Sequence, residues 1–157
     1  MNSAAEPRLR FTSFEEMLRR DGYIIYTNVG RSMMPLLREH RDVIEIRVRP
    51  EPRSRKYDVV LYQRGGKYIL HRVLKVLPDG YLIAGDHNTF LERDVTDAMI
   101  LGVMTRVIRG GNSIHPEDLR YRLYVRLWCA PWRLRMAILR VTGRVHALLY
   151  RLRRRRK

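Results

Sequence analysis

Ser32 and His71 are the residues of this chain whose types could together perform nucleophilic catalysis. A serine hydroxyl is a weak nucleophile at neutral pH, so it needs a neighbouring base to take its proton. Histidine suits that role because its ordinary pKa is about 6.5. A carboxylate on the other imidazole nitrogen would fix the tautomer and stabilise the imidazolium. This chemistry therefore requires a fold that brings Ser32, His71 and an acid together.

The sequence around Ser32 predicts a tight turn, because Gly30 precedes the serine and Pro35 follows it. A rigid turn would present the hydroxyl and leave backbone amides free to bind an oxyanion. Gly30 and Met33 are the residues we expect to shape this turn and its oxyanion site. Taken singly, a serine in such a turn or a histidine in a strand is more often structural than catalytic. The order of several motifs along the chain changes that balance.

Five short segments stand in the order and at the spacing of a known motif set. They are Gly-Arg-Ser32-Met-Met-Pro, Tyr-Asp58-Val-Val-Leu-Tyr, Leu-His71-Arg-Val, Ala-Gly-Asp86-His-Asn and Ile-Leu-Gly102-Val-Met. Together they resemble the successive motifs of signal peptidase I and its relatives, a superfamily that also contains the self-cleaving SOS-response repressors. The resemblance covers about residues 25–110, over half of the chain.

This resemblance implies that Ser32 is the nucleophile and His71 the general base of a serine endopeptidase. Most bacterial signal peptidases and the repressors have a lysine in place of this histidine. The endoplasmic-reticulum and archaeal type has a histidine, and the sequence resembles that type. The resemblance also implies small residues near the scissile bond of a peptide or protein substrate. It implies no cofactor and no metal.

The acid that would orient His71 has three candidates in the sequence. Asp86 matches the aspartate of the fourth motif, and we expect it to be a site residue. The spacing of the histidine type leads to Glu92, and the next aspartate is Asp94. Both remain alternatives for the orienting role. Gly30 stands where relatives often have a second serine, so the oxyanion would depend on backbone amides alone.

The pattern of apolar residues predicts a mainly β body, with a signal-peptidase-like fold implied by the resemblance. Ser13 and Glu16 form a capping-box pattern that predicts a short helix over 13–20. Alternating and β-branched residues predict strands, and residues 85–97 are expected to form a polar loop. The predicted strands span 23–29, 42–49, 58–63, 67–76, 81–84 and 100–108, and Gly110-Gly111-Asn112 closes the last one. We assign residues 1–115 to a catalytic domain.

Residues 116–157 form a basic tail for which helical spacing predicts helices over 116–129 and 131–154. The formal net charge of the chain is +16, and this tail holds 13 Lys and Arg against two acidic residues. Arginines alternate with tryptophan and aliphatic residues, which is typical of a helix lying in a membrane interface. The expected partner is an anionic membrane surface. Packing on the body or a partner protein is the alternative, and nucleic acid is the least favoured partner.

The remaining features concern location and alternative functions. The first ten residues are polar, and no segment reaches the roughly 18–20 apolar residues that span a bilayer. We therefore expect a cytoplasmic protein or one attached to the inner face of a membrane. The alternative function is a catalytically inactive membrane- or protein-binding module on the same fold. The sequence gives no indication of the oligomeric state.

Overall fold

An antiparallel sheet of eight strands forms the body in this computed structural model, which describes residues 13–49 and 52–154 except the Arg153 side chain. The order across the sheet is β1-β2-β7-β3-β4-β5-β6, with β8 paired to β7. The prediction of a mainly β body is therefore confirmed. The strands are β1 Tyr23–Thr27, β2 Val43–Arg47, β3 Val59–Arg64, β4 Lys67–Leu77, β5 Gly80–Ala84, β6 Glu92–Val95, β7 Ile100–Arg109 and β8 Asn112–Ile114.

The short N-terminal helix α1, Phe14–Asp21, forms where the capping pattern predicts it. The Ser13 side chain accepts a hydrogen bond from the Glu16 amide at 3.2 Å. Gly22 ends the helix with φ of 76°, a left-handed conformation that glycine adopts without steric cost. Leu18 is the buried contact of α1, and it joins the apolar cluster that covers one face of the sheet.

The alternation of side chains along β4 separates the residues of interest onto opposite faces of the sheet. His71 lies opposite Val60 of β3, whereas Arg72 lies opposite Val59. One apolar cluster packs on the face of Val60, and another packs on the face of Val59. His71 and Arg72 are consecutive in β4, and they therefore lie beside different apolar clusters on opposite faces of the sheet.

Two of the eight strands, β6 and β8, are not predicted by the sequence. Residues 85–97 were expected to form a polar loop, but they include β6 and the start of a 3₁₀ turn, Asp97–Met99. Strand β6 forms because it pairs with β5, where Glu92 lies opposite Ile83. The Gly110–Gly111 turn is followed by β8, which pairs antiparallel with β7. The strand that was expected to be the last, β7, therefore has one more strand after it. Strands β6 and β8 both depend on pairing with a neighbour, which residue patterns alone do not reveal.

The tail begins with α2, Leu119–Tyr124, continues through a π-helical turn, Val125–Cys129, and ends in α3, Trp132–Arg154. The predicted division near Pro131 is present, although α2 starts three residues after the predicted 116. Tyr121, Cys129 and Met136 are buried against the body. Residues 1–12 and 155–157, at the ends of the predicted domain and tail, lie outside the described residues, as do 50 and 51. None of the described helices is long and apolar enough to cross a bilayer.

Candidate active site

His71 of β4 and Glu92 of β6 form a buried hydrogen-bonded pair. The His71 Nδ1 atom lies 2.8 Å from Glu92 Oε1, and the two residues are 5% and 9% exposed. A carboxylate can only accept, so the imidazole proton lies on Nδ1 and the Nε2 lone pair is available. The Tyr62 hydroxyl lies 3.2 Å from the same Nδ1 atom and also interacts with Glu92. Glu92 thus fixes the tautomer that a general base requires.

The surroundings of His71 also keep it neutral. Burial lowers the pKa of His71 below its ordinary value near 6.5, and the Glu92 carboxylate opposes this shift without reversing it. Burial raises the pKa of Tyr62, so its hydroxyl stays protonated. At neutral pH, the imidazole can therefore accept a proton at Nε2.

Asn88 is the residue that faces the free nitrogen of His71. Its Nδ2 atom donates to His71 Nε2 at 3.3 Å. Asn88 belongs to the loop after β5, within the fourth motif, but we did not predict it as a site residue. The signal was its place beside Asp86 in that motif. Its position at Nε2 gives it direct control over access to the base.

The Ser32 turn is held by contacts on both sides of Gly30. The Gly30 amide donates to Glu39 Oε1 at 3.0 Å, and Asn28 Nδ2 donates to the Gly30 carbonyl at 3.2 Å. Gly30 has φ of 96°, a conformation that a residue with a side chain rarely adopts. Met33 is 1% exposed and anchors the turn in the apolar cluster on one face of the sheet.

The backbone amides of the turn provide the donors that an oxyanion would need. No residue in the described ranges accepts a hydrogen bond from the amides of Ser32 or Met33. Ser32 itself is only partly buried, whereas Met33 is 1% exposed. Acyl transfer needs such unpaired donors beside the nucleophile, so substrate would have to reach these amides for them to bind an oxyanion.

The serine turn packs directly on the loop that carries Asn88. The His87 amide donates to the Ser32 carbonyl at 2.8 Å. A Cβ atom placed on Gly85 would lie 2.5 Å from the Ser32 carbonyl oxygen and 2.9 Å from Asn88 Nδ2. Among the described residues, no hydrogen bond joins Ser32 directly to His71. Asn88 instead contacts His71 from a loop that touches the serine turn.

Asp94 lies beside the site without reaching the histidine. It is exposed and accepts from Arg64 Nη2 at 2.5 Å. The other terminal nitrogen of Arg64 donates to Glu92 Oε2 at 2.9 Å. Of the three acids proposed from the sequence, Glu92 is the one that hydrogen-bonds His71. Asp94 contributes by holding the arginine that supports Glu92.

Asp86 lies on the other side of β4, fully buried, and binds Arg72. Arg72 Nε donates to Asp86 Oδ1 at 2.9 Å, and Arg72 Nη2 donates to Oδ2 at 2.7 Å. The tail adds further donors to the same carboxylate, namely the Tyr124 hydroxyl at 2.9 Å, Arg135 Nη1 at 3.4 Å and Cys129 Sγ at 3.6 Å. Asp86 therefore joins the tail to the body, and its charge acts on His71 without a hydrogen bond to the imidazole, opposing the lowering of the His71 pKa.

Cys129 is a packed thiol at this junction. Burial raises its pKa to about 12, so it stays protonated and donates to Asp86. A protonated, buried thiol is a poor nucleophile. Among the described residues, no three His, Cys, Asp or Glu side chains are placed to share a metal ion.

A cleft of about 310 Å³ opens beside Ser32. Its walls come from α1, β1, β4 and the segment after β1, and they combine apolar and polar groups. The lining residues are Phe14, Tyr26, Asn28, Val29, Ser32, Tyr68, Ile69 and Leu70. A peptide side chain next to a scissile bond could occupy this space.

Comparison with known proteins identifies no relative of this chain. No family model, curated protein or solved structure matches the chain. The likeness to signal peptidases therefore stays a prediction from the five sequence motifs.

Proposed function

We propose that this protein is a serine endopeptidase in which Ser32 is the nucleophile and His71 the general base. The observation that carries the proposal is the buried His71–Glu92 pair, which directs the proton-accepting Nε2 toward the loop on which the Ser32 turn packs. The resemblance of the motifs to the histidine type of signal peptidase supports the same roles. Peptide-bond hydrolysis is the reaction that these groups suit.

Each group has a defined step in this mechanism. Ser32 Oγ attacks the peptide carbonyl carbon while His71 Nε2 accepts the hydroxyl proton, and the amides of Ser32 and Met33 bind the oxyanion. His71 then gives that proton to the leaving amine, so that the C–N bond breaks and an acyl-enzyme remains. Water, deprotonated by His71, releases the acyl group and restores Ser32. Glu92 stabilises the imidazolium in both steps.

The first step requires that Nε2 exchange its Asn88 donor for the Ser32 hydroxyl. Catalytic hydrogen bonds often form fully only when substrate is bound. The loop of Asn88 already contacts the serine turn, so substrate in the adjacent cleft is positioned to drive this exchange.

The experiment compares the wild-type chain with Ser32→Ala and His71→Gln. Mass spectrometry of protein N-termini in cells should show peptides that disappear in both variants. Labelling of the purified chain by a fluorophosphonate should also be lost, while circular dichroism and thermal melting stay unchanged. Equal labelling and equal N-termini in wild type and Ser32→Ala would refute the proposal.

A catalytically inactive binding module is the second candidate, and the Asn88–His71 contact favours it. If the chain has no peptidase activity, neither wild type nor Asn88→Ala will react with the fluorophosphonate. Labelling of Asn88→Ala alone at Ser32 would mean that Asn88 blocks the base, and labelling of wild type at Ser32 supports the peptidase instead. Comparing wild type with Asn88→Ala therefore distinguishes a His71 that Asn88 blocks from a chain without peptidase activity.

A further inference from the structure

Helix α3 changes its surroundings along its length. Its first turns pack on the body, where Trp132 and Met136 join an apolar cluster with Leu74, Leu82 and Ala84. From residue 140 to residue 152, every residue is exposed. The second half of α3 therefore extends away from the body, and its stability must come from the helix itself or from a partner.

The exposed half continues an apolar stripe that runs the length of the helix. Residues spaced alternately by four and three positions share one face of an α-helix. These residues are between 43% and 62% exposed. We call them the α3 stripe: Leu134, Ile138, Val141, Val145, Leu148 and Leu152.

The α3 stripe lies on the side of the helix that faces away from the body. At 100° per residue, Met136 is about 160° from Leu134 and Leu152, so the body contact and the stripe are on nearly opposite faces. The described body residues cannot cover the stripe while Met136 stays packed. No residue in the described ranges therefore occupies this face.

The charge around the stripe indicates what that occupant is. Arg133, Arg140, Arg144 and Arg151 follow one flank of the stripe at helical spacing. The sequence has no Asp or Glu from Leu119 to its end. A matching surface must therefore offer apolar material along the stripe and negative charge beside it.

We propose that the α3 stripe docks in the interface of an anionic lipid bilayer, with the helix parallel to the membrane plane. Acyl chains cover the stripe, and lipid phosphates pair with the flanking arginines. Those arginines keep the helix at the surface. The proposal is independent of the peptidase mechanism, because no stripe residue touches Ser32, His71 or Glu92.

Other occupants fit less well. The four-three spacing also suits a coiled coil, but a second copy would bring Arg144 and Arg151 against like charges with no acid to offset them. Nucleic acid would pair with the arginines and leave the stripe in water. An anionic bilayer satisfies both the apolar and the charged part.

The experiment is sedimentation of the full chain with vesicles, comparing Leu148→Glu with Gly143→Glu. Both changes add one negative charge to the same helix, but Leu148 lies in the stripe, whereas Gly143 lies off it with open space around its Cβ position. On vesicles of phosphatidylcholine with phosphatidylglycerol, Leu148→Glu should weaken binding at least about tenfold, because one buried leucine is lost. Gly143→Glu should weaken binding by at most about fivefold, the cost of one added negative charge near the surface.

Two further arms complete the test. Phosphatidylcholine vesicles alone should bind the wild-type chain weakly, and Ser32→Ala should bind anionic vesicles as wild type does. Equal loss in Leu148→Glu and Gly143→Glu would overturn the stripe as the contact. A concentration-dependent dimer in analytical ultracentrifugation that Leu148→Glu abolishes, without vesicle binding by wild type, would assign the stripe to a second copy. Stronger binding to duplex DNA than to anionic vesicles would also overturn the proposal.

Discussion

His71–Glu92 and Arg72–Asp86 are two buried base–acid pairs that begin from neighbouring residues of β4. Strand alternation sends them to opposite faces of the sheet. The imidazole of His71 can lose its proton at physiological pH, whereas the guanidinium of Arg72 cannot. In the His71–Glu92 pair, Nε2 of His71 can exchange its hydrogen-bond partner. In the Arg72–Asp86 pair, both carboxylate oxygens of Asp86 accept hydrogen bonds that hold the donors in place. Strand β4 thus carries the titratable His71 on one face and the Arg72–Asp86 ion pair, which does not titrate in this range, on the other.

The difference lies in how each pair is enclosed. Glu92, on the edge strand β6, is supported by Arg64 at the end of β3, and His71 Nε2 faces the side-chain amide of Asn88. Asp86 is surrounded by cations and neutral donors from the body and from the tail. A buried ion pair of this kind is strongly destabilising to break, because the remaining charge has no water around it.

Glu92→Gln should produce the largest effect, on activity. It keeps the size of the side chain but removes the charge that fixes Nδ1–H and stabilises the imidazolium. Loss of the corresponding carboxylate in serine–histidine sites costs about 10⁴-fold. The rate of fluorophosphonate labelling measures this loss. Asp94→Asn is the matched control, expected within about threefold of wild type because it touches only Arg64. Equal rates in both variants would contradict the assigned role of Glu92.

Asp86→Asn should produce the next largest effect, on stability. It leaves Arg72 and Arg135 buried without their shared carboxylate, which should cost about 3–5 kcal/mol of the free energy of unfolding. Urea unfolding followed by circular dichroism measures this cost. Glu92→Gln serves as the comparison, since its neighbour His71 carries no buried charge. A loss below about 1 kcal/mol in Asp86→Asn would show that the ion pair is not structurally important.

Gly85→Ala should have a smaller effect, confined to the contact between the two loops of the site. The added Cβ would lie 2.5 Å from the Ser32 carbonyl oxygen, so the serine turn must shift away from Asn88. Displacements near 1 Å at a catalytic group cost about 10²-fold in rate. Labelling kinetics should show that loss. Gly143→Ala, with open space around its Cβ position, should label as wild type does. Unchanged labelling in Gly85→Ala would mean that the loop contact does not position Ser32.

The sequence predicts only part of the His71–Glu92 pair. Residue types and motif order lead to Ser32 and His71, and apolar runs bounded by turn residues lead to β3, β4 and β5. Glu92 stays one of three acids because β6 reads Glu-Arg-Asp-Val, with no alternation to show that its first residue points inward. Its inward direction comes from pairing with β5, a contact that the local sequence does not contain.

The Arg72–Asp86 pair is harder to predict from the sequence than the His71–Glu92 pair. The fourth motif marks Asp86 as important but does not distinguish catalysis from structure. Its main partners outside β4 come from the tail, which the sequence presents as a separate basic segment. Spacing places Tyr124 and Arg135 on helices without showing that those helices turn back onto Asp86. Tertiary packing decides this role, and residue patterns do not encode it.

The pH dependence provides the finest distinction between the two pairs. Because burial lowers the pKa of His71, the folded chain binds fewer protons there than the unfolded chain does. The stability from neutral His71 is therefore complete above the unfolded pKa of about 6.5 and is lost as pH falls through the folded pKa. Arg72 has a raised pKa and stays charged throughout this range. The stability difference between wild type and His71→Gln, measured by urea unfolding between acidic and neutral pH, should change with pH only on the acid side, where wild type loses stability relative to the variant.

That difference has a bounded size, because one proton changes stability by at most about 1.4 kcal/mol per pH unit. The other histidines remain in both chains, so their contributions cancel in the comparison. Fluorophosphonate labelling of wild type should fall over the same acidic range, because a protonated His71 cannot accept the Ser32 proton. Parallel stability curves for wild type and His71→Gln would show that His71 does not keep a lowered pKa in the folded chain. The contrast between a titrating and a fixed pair on β4 would then fail.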